Sequence, residues 1–453
     1  MKMKVNSLIQ YFEINKLSTV EQTSEKIRRR TVKSTDIDYV KKIMNDVKKN
    51  NDKALLKYTS KFDRVKLLPN QLRVNNKEIK EAYSIIDSEI VKELKILKKS
   101  VEKTEKKIMK LFSNFVNDVE IRDKRSYIKY NMVPLESVGC YVPGGKAVYP
   151  SSLVMSSVPA KIAGVKRIIV CSPPSLDKKI NPSVLVAADI CQVDEIYKVG
   201  GAQAIAAMGY GTNSIKPVEK IVGPGNIFVY QAKKIISEDV GIDLHAGPSE
   251  LLIIADNSAD KELIISDLFA QAEHGIDSLC GVVTTSKRLA KDLIRLIQER
   301  LPQIERRDIV SKSLLKNGFI VYCKSMQECI DFANDFASEH LEIMTENQDS
   351  VAKEMTSSGV VLIGNYTPAA FSDYGLGTNH VLPTGGSGKF YSALSSIDFT
   401  RRFFIAKTTK EKLKNNLVKI EKLSNQEGLI NHGKSAKARF VNENVKSISK
   451  KNN

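Results

Sequence analysis

The sequence predicts an α/β protein with two parallel sheets and with helical extensions at both ends. From residue 137 onward, short β-branched runs alternate with helical stretches, and Gly and Pro separate them. Such alternation is typical of βαβ units and parallel sheets. The alternation runs through two consecutive series, which indicates two similar sheets.

The N-terminal part is predicted to be mainly helical over residues 1–110. Apolar residues recur at helical spacing through residues 40–63, and residues 76–111 carry a long, charged amphipathic pattern. At the other end, the chain from residue 391 is basic, and its apolar residues again follow a helical period. A tail of this kind usually packs on its own body or on a partner subunit.

The first α/β series contains four predicted strands: SVGCYV (137–142), RIIVCS (167–172), EIYKV (195–199) and EKIV (219–222). Three turns follow strands and open helices: PGG (143–145), GG (200–201) and GPG (223–225). Such turns present backbone N–H groups to an anion such as a pyrophosphate. Each turn is a weak signal, since Phe228 stands where a dinucleotide fingerprint has its third Gly. The three together favour nucleotide binding.

The second series contains five predicted strands: ELLIIAD (250–256), GVVTTS (281–286), GFIVYC (318–323), LEIMT (341–345) and GVVLIGN (359–365). Helices are predicted between them at residues 261–274, 287–300 and 325–337.

Composition excludes several classes of protein. With 42% hydrophobic residues among 453, the chain is not disordered, and no apolar run approaches the roughly 20 residues of a membrane span. Six cysteines, never spaced CxxC, fit a reducing compartment, so we expect a cytoplasmic protein without a membrane partner. The net charge of +18 raises the question of nucleic acid, but no nucleic-acid-binding motif is present and we expect no such partner.

Two pairs of residues are candidates for chemistry. Gln271 and His274 share one face of a predicted helix and could hold one ligand, although spacing alone favours a His at a helix C-terminus. Glu339 and His340 open a strand, where an acid and an imidazole could share proton transfer. Ordinary loop residues are the alternative for this second pair.

A long Gly-rich loop is predicted at residues 371–388, FSDYGLGTNHVLPTGGSG. Its apolar residues favour a packed loop over a flexible linker. Asp373 in this loop is a plausible oxygen ligand for a divalent cation. Nucleophilic catalysis has little support, because the chain lacks a GxSxG motif and the cysteines are interpreted as small buried side chains.

Eight ordered segments resemble the histidinol dehydrogenase family: GCYVPGGKAVYPSSLVM, VGGAQAIAAMGYGT, KIVGPGN, AGPSELLIIAD, DLFAQAEHG, SEHLEI, SDYGLGTNHVLPT and EGLINH. The resemblance covers nearly the whole chain. It implies oxidation of L-histidinol to L-histidine, the last step of histidine biosynthesis, in two hydride transfers to NAD through an aldehyde. It also implies one zinc ion per subunit.

The resemblance carries residue roles over to this chain. It implies Glu339 and His340 as the catalytic pair. The implied zinc ligands are Gln271, His274, Asp373 and, from the partner subunit, His432. The implied substrate contacts are Ser249, Gln271, His274, His340, Asp373, Glu427 and His432. The implied NAD contacts are Tyr141, Gln203 and Asn226.

The resemblance further implies a homodimer with a swapped C-terminal tail and two incomplete Rossmann-like parallel-sheet domains. We expect an N-terminal arm at residues 1–30 and a first α/β domain, with the catalytic and metal residues, at residues 31–136 and 250–390. An NAD-binding α/β domain is expected at residues 137–249, and a helical exchanged tail at residues 391–453.

Five positions depart from the family pattern: Asn51 in place of an early Gly, His245, Ser338 in place of Pro, Ala369 in place of Glu, and Ser372 in place of Gly. None of them removes an implied ligand or proton carrier. Two other functions stay open: a related zinc- and NAD-dependent dehydrogenase of another small alcohol, and a non-catalytic binding protein.

Overall fold

The computed structural model describes residues 8–15, 18–29, 37–123, 126–144, 148–244 and 247–440. His245 lies outside these ranges. The helices are α1 Val20–Arg28, α2 Ile37–Phe62, α3 Asn76–Ile85, α4 Ser88–Asp118, α5 Pro150–Ala163, α6 Pro182–Ile190, α7 Gly201–Tyr210, α8 Ile227–Ile236, α9 Lys261–Ala272, α10 Lys287–Arg300, α11 Arg307–Asn317, α12 Met326–Phe336, α13 Gln348–Lys353, α14 Ala369–Tyr374, α15 Lys410–Gln426 and α16 Ile430–Ala438.

The strands are β1 Gln10–Glu13, β2 Glu120–Asp123, β3 Ser126–Pro134, β4 Ser137–Tyr141, β5 Arg167–Ser172, β6 Glu195–Lys198, β7 Lys220–Val222, β8 Gly241–Ile242, β9 Glu250–Ala255, β10 Leu279–Thr284, β11 Phe319–Tyr322, β12 His340–Met344, β13 Val360–Ile363 and β14 Thr400–Thr408. No helix in the described part of the chain has both the length and the apolar character needed to cross a bilayer.

A six-stranded parallel sheet has the order β1-β11-β10-β9-β12-β13. All six residues of the central strand β9 are buried. Leu251 and Ile253 pack into the core on one face of the sheet, and Leu252 and Ile254 into the core on the other. Because helices cover both faces, the strand is apolar throughout and does not alternate with polar residues.

A five-stranded parallel sheet has the order β6-β5-β4-β7-β8. Its strands also bury both faces: in β5, Ile168 and Val170 pack into one core and Ile169 and Cys171 into another. The prediction of an α/β fold with two parallel sheets is therefore confirmed.

The described residues divide into two compact units. The first covers residues 1–109 and 134–399 and contains both parallel sheets. The second covers residues 110–133 and 400–453. In it, β3 pairs with β2 and β14, Tyr130 packs on Phe404 with ring centroids 4.8 Å apart, and α15 packs on α16.

The structure differs from the predicted elements in several places. The helical pattern of residues 76–111 is two helices, α3 and α4. The tail begins with strand β14, and β1 joins the large sheet by pairing with β11, so that Gln10 lies opposite Phe319. These strands form through partners distant in the sequence, which local periodicity does not report.

Candidate active site

A cluster of buried polar side chains lies at the amino ends of the neighbouring strands β9 and β12. Glu339 and His340 stand at the start of β12, and Ser249 directly precedes β9. Helix α9 ends at Ala272, beside the same edge of the sheet, because it leads back to the start of β10. In open parallel sheets, ligands usually bind at the opposite, carboxyl ends.

The backbone of Glu250 fixes the Glu339–His340 pair. Its N–H donates to Oε2 of Glu339 at 2.8 Å, and its carbonyl oxygen lies 3.2 Å from Nδ1 of His340. A proton on Nδ1 can be donated to this carbonyl oxygen, and Nε2 of the neutral ring then remains as a hydrogen-bond or proton acceptor. Both side chains of the pair are buried.

His340 points its Nε2 at Asp373. The Nε2 atom lies 3.8 Å from Oδ1 of Asp373, too far for a hydrogen bond, and both atoms are buried without a hydrogen-bond partner among the described residues. Burial lowers the pKa of His340, but the negative charges of Glu339 and Asp373 outweigh burial and raise it to about 10.

Asp373 lies on the short helix α14 and faces a second imidazole. Nδ1 of His380 is 3.5 Å from Oδ1 of Asp373, and Nε2 of His380 is 3.0 Å from Oγ of Ser152. Burial raises the pKa of Asp373, but the two histidines, His340 and His380, outweigh burial and hold that pKa below its ordinary range. The carboxylate is therefore ionised, and one of its oxygens is free to bind a cation.

Gln271 and His274 lie at the end of α9, with His274 two residues beyond the last helical residue. Gln271 is buried, and its Nε2 donates to the carbonyl oxygen of Glu250 at 3.4 Å, which orients the amide. The side chain of His274 is exposed. Desolvation by the surrounding protein nevertheless lowers the pKa of His274, and this effect outweighs the charges of Asp373 and Glu339, which act to raise it. A neutral imidazole is the form that binds metal.

The residues fit a zinc site in their chemistry. Among the described residues, no three His, Cys, Asp or Glu side chains form a group that could hold a metal ion. The first unit instead offers a mixed N/O set: an oriented amide, an imidazole of lowered pKa, and a buried carboxylate oxygen without a partner. One further ligand would be needed for the tetrahedral set that zinc prefers.

Three further candidate residues lie at the carboxyl ends of strands in the five-stranded sheet. Tyr141 ends β4 and is buried, and its hydroxyl accepts the N–H of Gly201 at 3.1 Å. Burial raises the pKa of Tyr141 to about 12. Gln203 on α7 is also buried, with Oε1 lacking a partner among the described residues. Asn226 is exposed and caps α8.

A buried ion pair builds the GPG turn that precedes Asn226. Lys233 forms an ion pair with Asp243, and each of them also binds the backbone of Gly223. Lys233 donates to the carbonyl oxygen of Gly223 at 3.1 Å, and Asp243 accepts the backbone N–H of Gly223 at 2.7 Å. Gly223 has a φ of 110°, and a Cβ there would lie 2.2 Å from the carbonyl oxygen of Tyr141. Only glycine fits this position.

Glu427 and His432 lie in the second unit. Glu427 follows the last residue of α15 and His432 is in α16, and both side chains are exposed.

Several side chains of the cluster were not identified from the sequence as site residues. His380, Ser152, Glu250 and Arg28 reach the cluster from distant parts of the chain. Two of them carried a signal, since Glu250 directly follows Ser249 and His380 lies in the predicted loop with Asp373. Nothing in the sequence singles out Ser152 or Arg28.

A sequence model of histidinol dehydrogenase matches residues 26–440. The histidinol dehydrogenase of Methanococcus maripaludis is 42% identical over 94% of this chain and 99% of its own length. That of Clostridium acetobutylicum is 43% identical over 89% of this chain and 92% of its own. The chain belongs to the histidinol dehydrogenase family.

A solved histidinol dehydrogenase supports the same assignment through its fold. The crystal structure of the enzyme from Elizabethkingia anophelis superposes with a TM-score of 0.86 at 34% identity, covering 97% of this chain and all of that one. The predictions of the family, the fold class and an oxidoreductase of histidine biosynthesis are confirmed.

Proposed function

We propose that this member of the histidinol dehydrogenase family oxidises L-histidinol to L-histidine with NAD and one zinc ion per subunit. The observation that carries the proposal is the convergence of His340 and Asp373. Their Nε2 and Oδ1 atoms face each other, buried, at 3.8 Å and without hydrogen-bond partners among the described residues. An imidazole nitrogen and an ionised carboxylate oxygen thus meet at one point.

In this proposal Gln271, His274 and Asp373 hold zinc together with His432 of the partner subunit. The cation supplies orientation and polarisation of the substrate, since zinc is redox-inert. Its charge would also oppose that of Asp373, one of the two carboxylates that raise the pKa of His340, and would thereby lower that pKa toward the neutral imidazole that a base requires. Ser249, His340, Glu427 and His432 complete the substrate contacts, with Glu427 also from the tail.

His340 acts as the general base. Nε2 would accept the proton of the substrate alcohol, and bound NAD would supply the acceptor for the hydride. In the second half of the reaction, His340 would first return its proton to solvent. Glu339 would help to activate the water that attacks the aldehyde, and His340 would then take the proton of the hydrated aldehyde as the second hydride leaves. The backbone of Glu250 keeps both side chains in place through these steps.

NAD contacts are proposed at Tyr141, Gln203 and Asn226. The buried, unpartnered Oε1 of Gln203 supports this, because it offers an acceptor to a donor group of the cofactor. The position of all three at carboxyl strand ends also supports it, since nucleotides bind there in parallel sheets. The division of the chain into arm, catalytic domain, NAD-binding domain and tail belongs to the same proposal, as does the cytoplasmic location.

The homodimer with a swapped tail has its own experiment. An inactive His340→Ala chain is mixed with an inactive His432→Ala chain under conditions of subunit exchange. A heterodimer then contains one site with neither substitution, so part of the activity returns. If exchange is verified and no activity returns, the tail serves the site of its own subunit.

A substrate panel tests the proposed substrate. The purified protein is supplied with NAD and either L-histidinol or simple diols, and NADH formation is followed. Histidinol is expected to be the fastest substrate. Faster oxidation of a simple diol would favour a related dehydrogenase of another small alcohol.

A further inference from the structure

We propose that Arg28 and Glu250 form a buried clamp that positions Glu339 and His340 for catalysis. This inference rests on the proposed function, because it assigns a task to residues that hold the proposed catalytic pair. Neither residue touches the reacting atoms in the mechanism above, so both are positioning residues.

Arg28 closes the clamp on one side. It ends helix α1, and its guanidinium forms an ion pair with the carboxylate of Glu250. The side chain of Arg28 is 15% exposed and that of Glu250 4%. An ion pair so shielded from water is far less screened than a surface pair, and the loss of one partner leaves the other charge buried.

The same guanidinium fixes the segment that leads into the catalytic pair. It donates to the carbonyl oxygens of Phe336 and, at 3.3 Å, of Ala337, and it lies 3.8 Å over the ring of Phe336. Helix α12 ends at Phe336, and Ala337 has a φ of 49°, which is rare for a residue with a side chain. Arg28 therefore stabilises a sharp turn three residues before His340.

Glu250 closes the clamp on the other side. Its side chain also accepts the N–H of Gly385 at 3.0 Å, which ties down the loop after His380. Its backbone binds Glu339 at 2.8 Å, lies 3.2 Å from Nδ1 of His340 and accepts the amide of Gln271. Fixing this side chain thus fixes the backbone that holds a proposed base, its acidic partner and a proposed zinc ligand.

The ion pair links parts of the chain that are 222 residues apart, and the contact with α12 spans 308. A displacement of about 1 Å in a catalytic group can cost roughly 100-fold in rate. The clamp is accordingly expected to act more strongly on kcat than on KM, because a displaced base costs more in the transition state than in the bound substrate.

Arg28→Met tests the clamp, with Arg29→Met as the matched control. Arg29 is the next residue, is exposed, and pairs with Glu25 on the helix surface. We expect Arg28→Met to lower kcat roughly 10- to 100-fold with KM for L-histidinol within about threefold. Arg28→Lys, which keeps the charge but not the planar fork, restores part of kcat. Arg29→Met keeps the wild-type values.

Glu250→Gln serves as the second variant in case Arg28→Met fails to fold. It keeps an oxygen for Gly385 and removes the charge, and it is expected to lower kcat in the same way. The kcat of the double variant should be no lower than that of the less active single variant, because both substitutions break the same interaction. An unchanged kcat in a folded Arg28→Met or Glu250→Gln, or an equal loss in Arg29→Met, overturns the clamp.

Amide hydrogen exchange separates failure of the clamp from failure of the proposed function. If the wild-type chain does not oxidise L-histidinol, the proposed function fails, but the clamp still predicts faster exchange at residues 337–341 and 250–252 in Arg28→Met than in Arg29→Met. Equal exchange in the two variants overturns the clamp, whatever the substrate is.

Discussion

Nδ1 of His380 lies 3.5 Å from Oδ1 of Asp373, and the opposite ring nitrogen of His380 lies 3.0 Å from Oγ of Ser152. The imidazole thus links helix α5, which packs on the five-stranded sheet, to the carboxylate proposed as a zinc ligand. Residues that contact a metal ligand, without binding the metal themselves, usually influence the affinity for the metal.

His380→Gln is therefore expected to weaken zinc binding about 10- to 100-fold. The measurement is competition for zinc with a chelator of known affinity. Ser152→Ala, one step further from the carboxylate, should weaken it less. Wild-type zinc affinity in a folded His380→Gln protein would show that Asp373 needs no support from this ring.

Asn51→Gly is expected to stabilise the protein by about 1 kcal/mol. Asn51 interrupts helix α2 with φ 52° and ψ −134°, a conformation that only glycine adopts without strain. Urea denaturation measures the change, and Lys49→Gly, at an exposed position of the same helix, should destabilise by about 1 kcal/mol. If both variants were less stable than wild type, the backbone at Asn51 would not be strained.

Glu342→Gln is expected to flatten the pH dependence of stability. Burial and the charge of Asp267 raise the pKa of Glu342, which accepts the N–H of Ala369 at 2.8 Å. The unfolded chain loses this proton near pH 4.5, before the folded protein does, so stability falls as pH rises above that value. Glutamine removes the titration and keeps the hydrogen bond.

The free energy of unfolding at pH 5 and at pH 8 is the measurement. The decrease between the two should be smaller in Glu342→Gln than in wild type by about 1 kcal/mol or more. Glu346→Gln, at an exposed position beyond the end of the same strand, is the control and should follow wild type. Equal decreases in all three proteins would refute the prediction.

Lys233→Met is expected to raise KM for NAD more than KM for L-histidinol. The substitution leaves Asp243 buried without its cation and releases the carbonyl oxygen of Gly223 in the GPG turn. Breaking such a pair destabilises a protein by about 3–5 kcal/mol. Exposed Lys234→Met is the control, and Asp243→Asn is the milder variant if Lys233→Met is unfolded. If KM for NAD and KM for L-histidinol changed equally, the GPG turn would have no specific role in NAD binding.

The two parallel sheets could be predicted from the sequence because a buried parallel strand is a local apolar run bounded by turns. β9 shows this, since ELLIIA is buried along its whole length. Strand β1 could not be predicted from the sequence, because it forms only by pairing with β11, about 300 residues away.

The candidate site divides in the same way. Gln271 with His274, and Glu339 with His340, are neighbours in the sequence and were found there as pairs. The approach of His380 to Ser152 spans 228 residues and depends on tertiary packing alone. The position of the cluster at amino strand ends also departs from the usual rule for parallel sheets.

The most direct test of the account is the ratio of NADH to histidine formed from L-histidinol by the purified protein. The measurement is made before chelation, after chelation and after zinc is returned. We predict two NADH per histidine, loss of both products with the chelator, and recovery of both with zinc. A folded, zinc-loaded dimer that forms no NADH from L-histidinol would contradict the account.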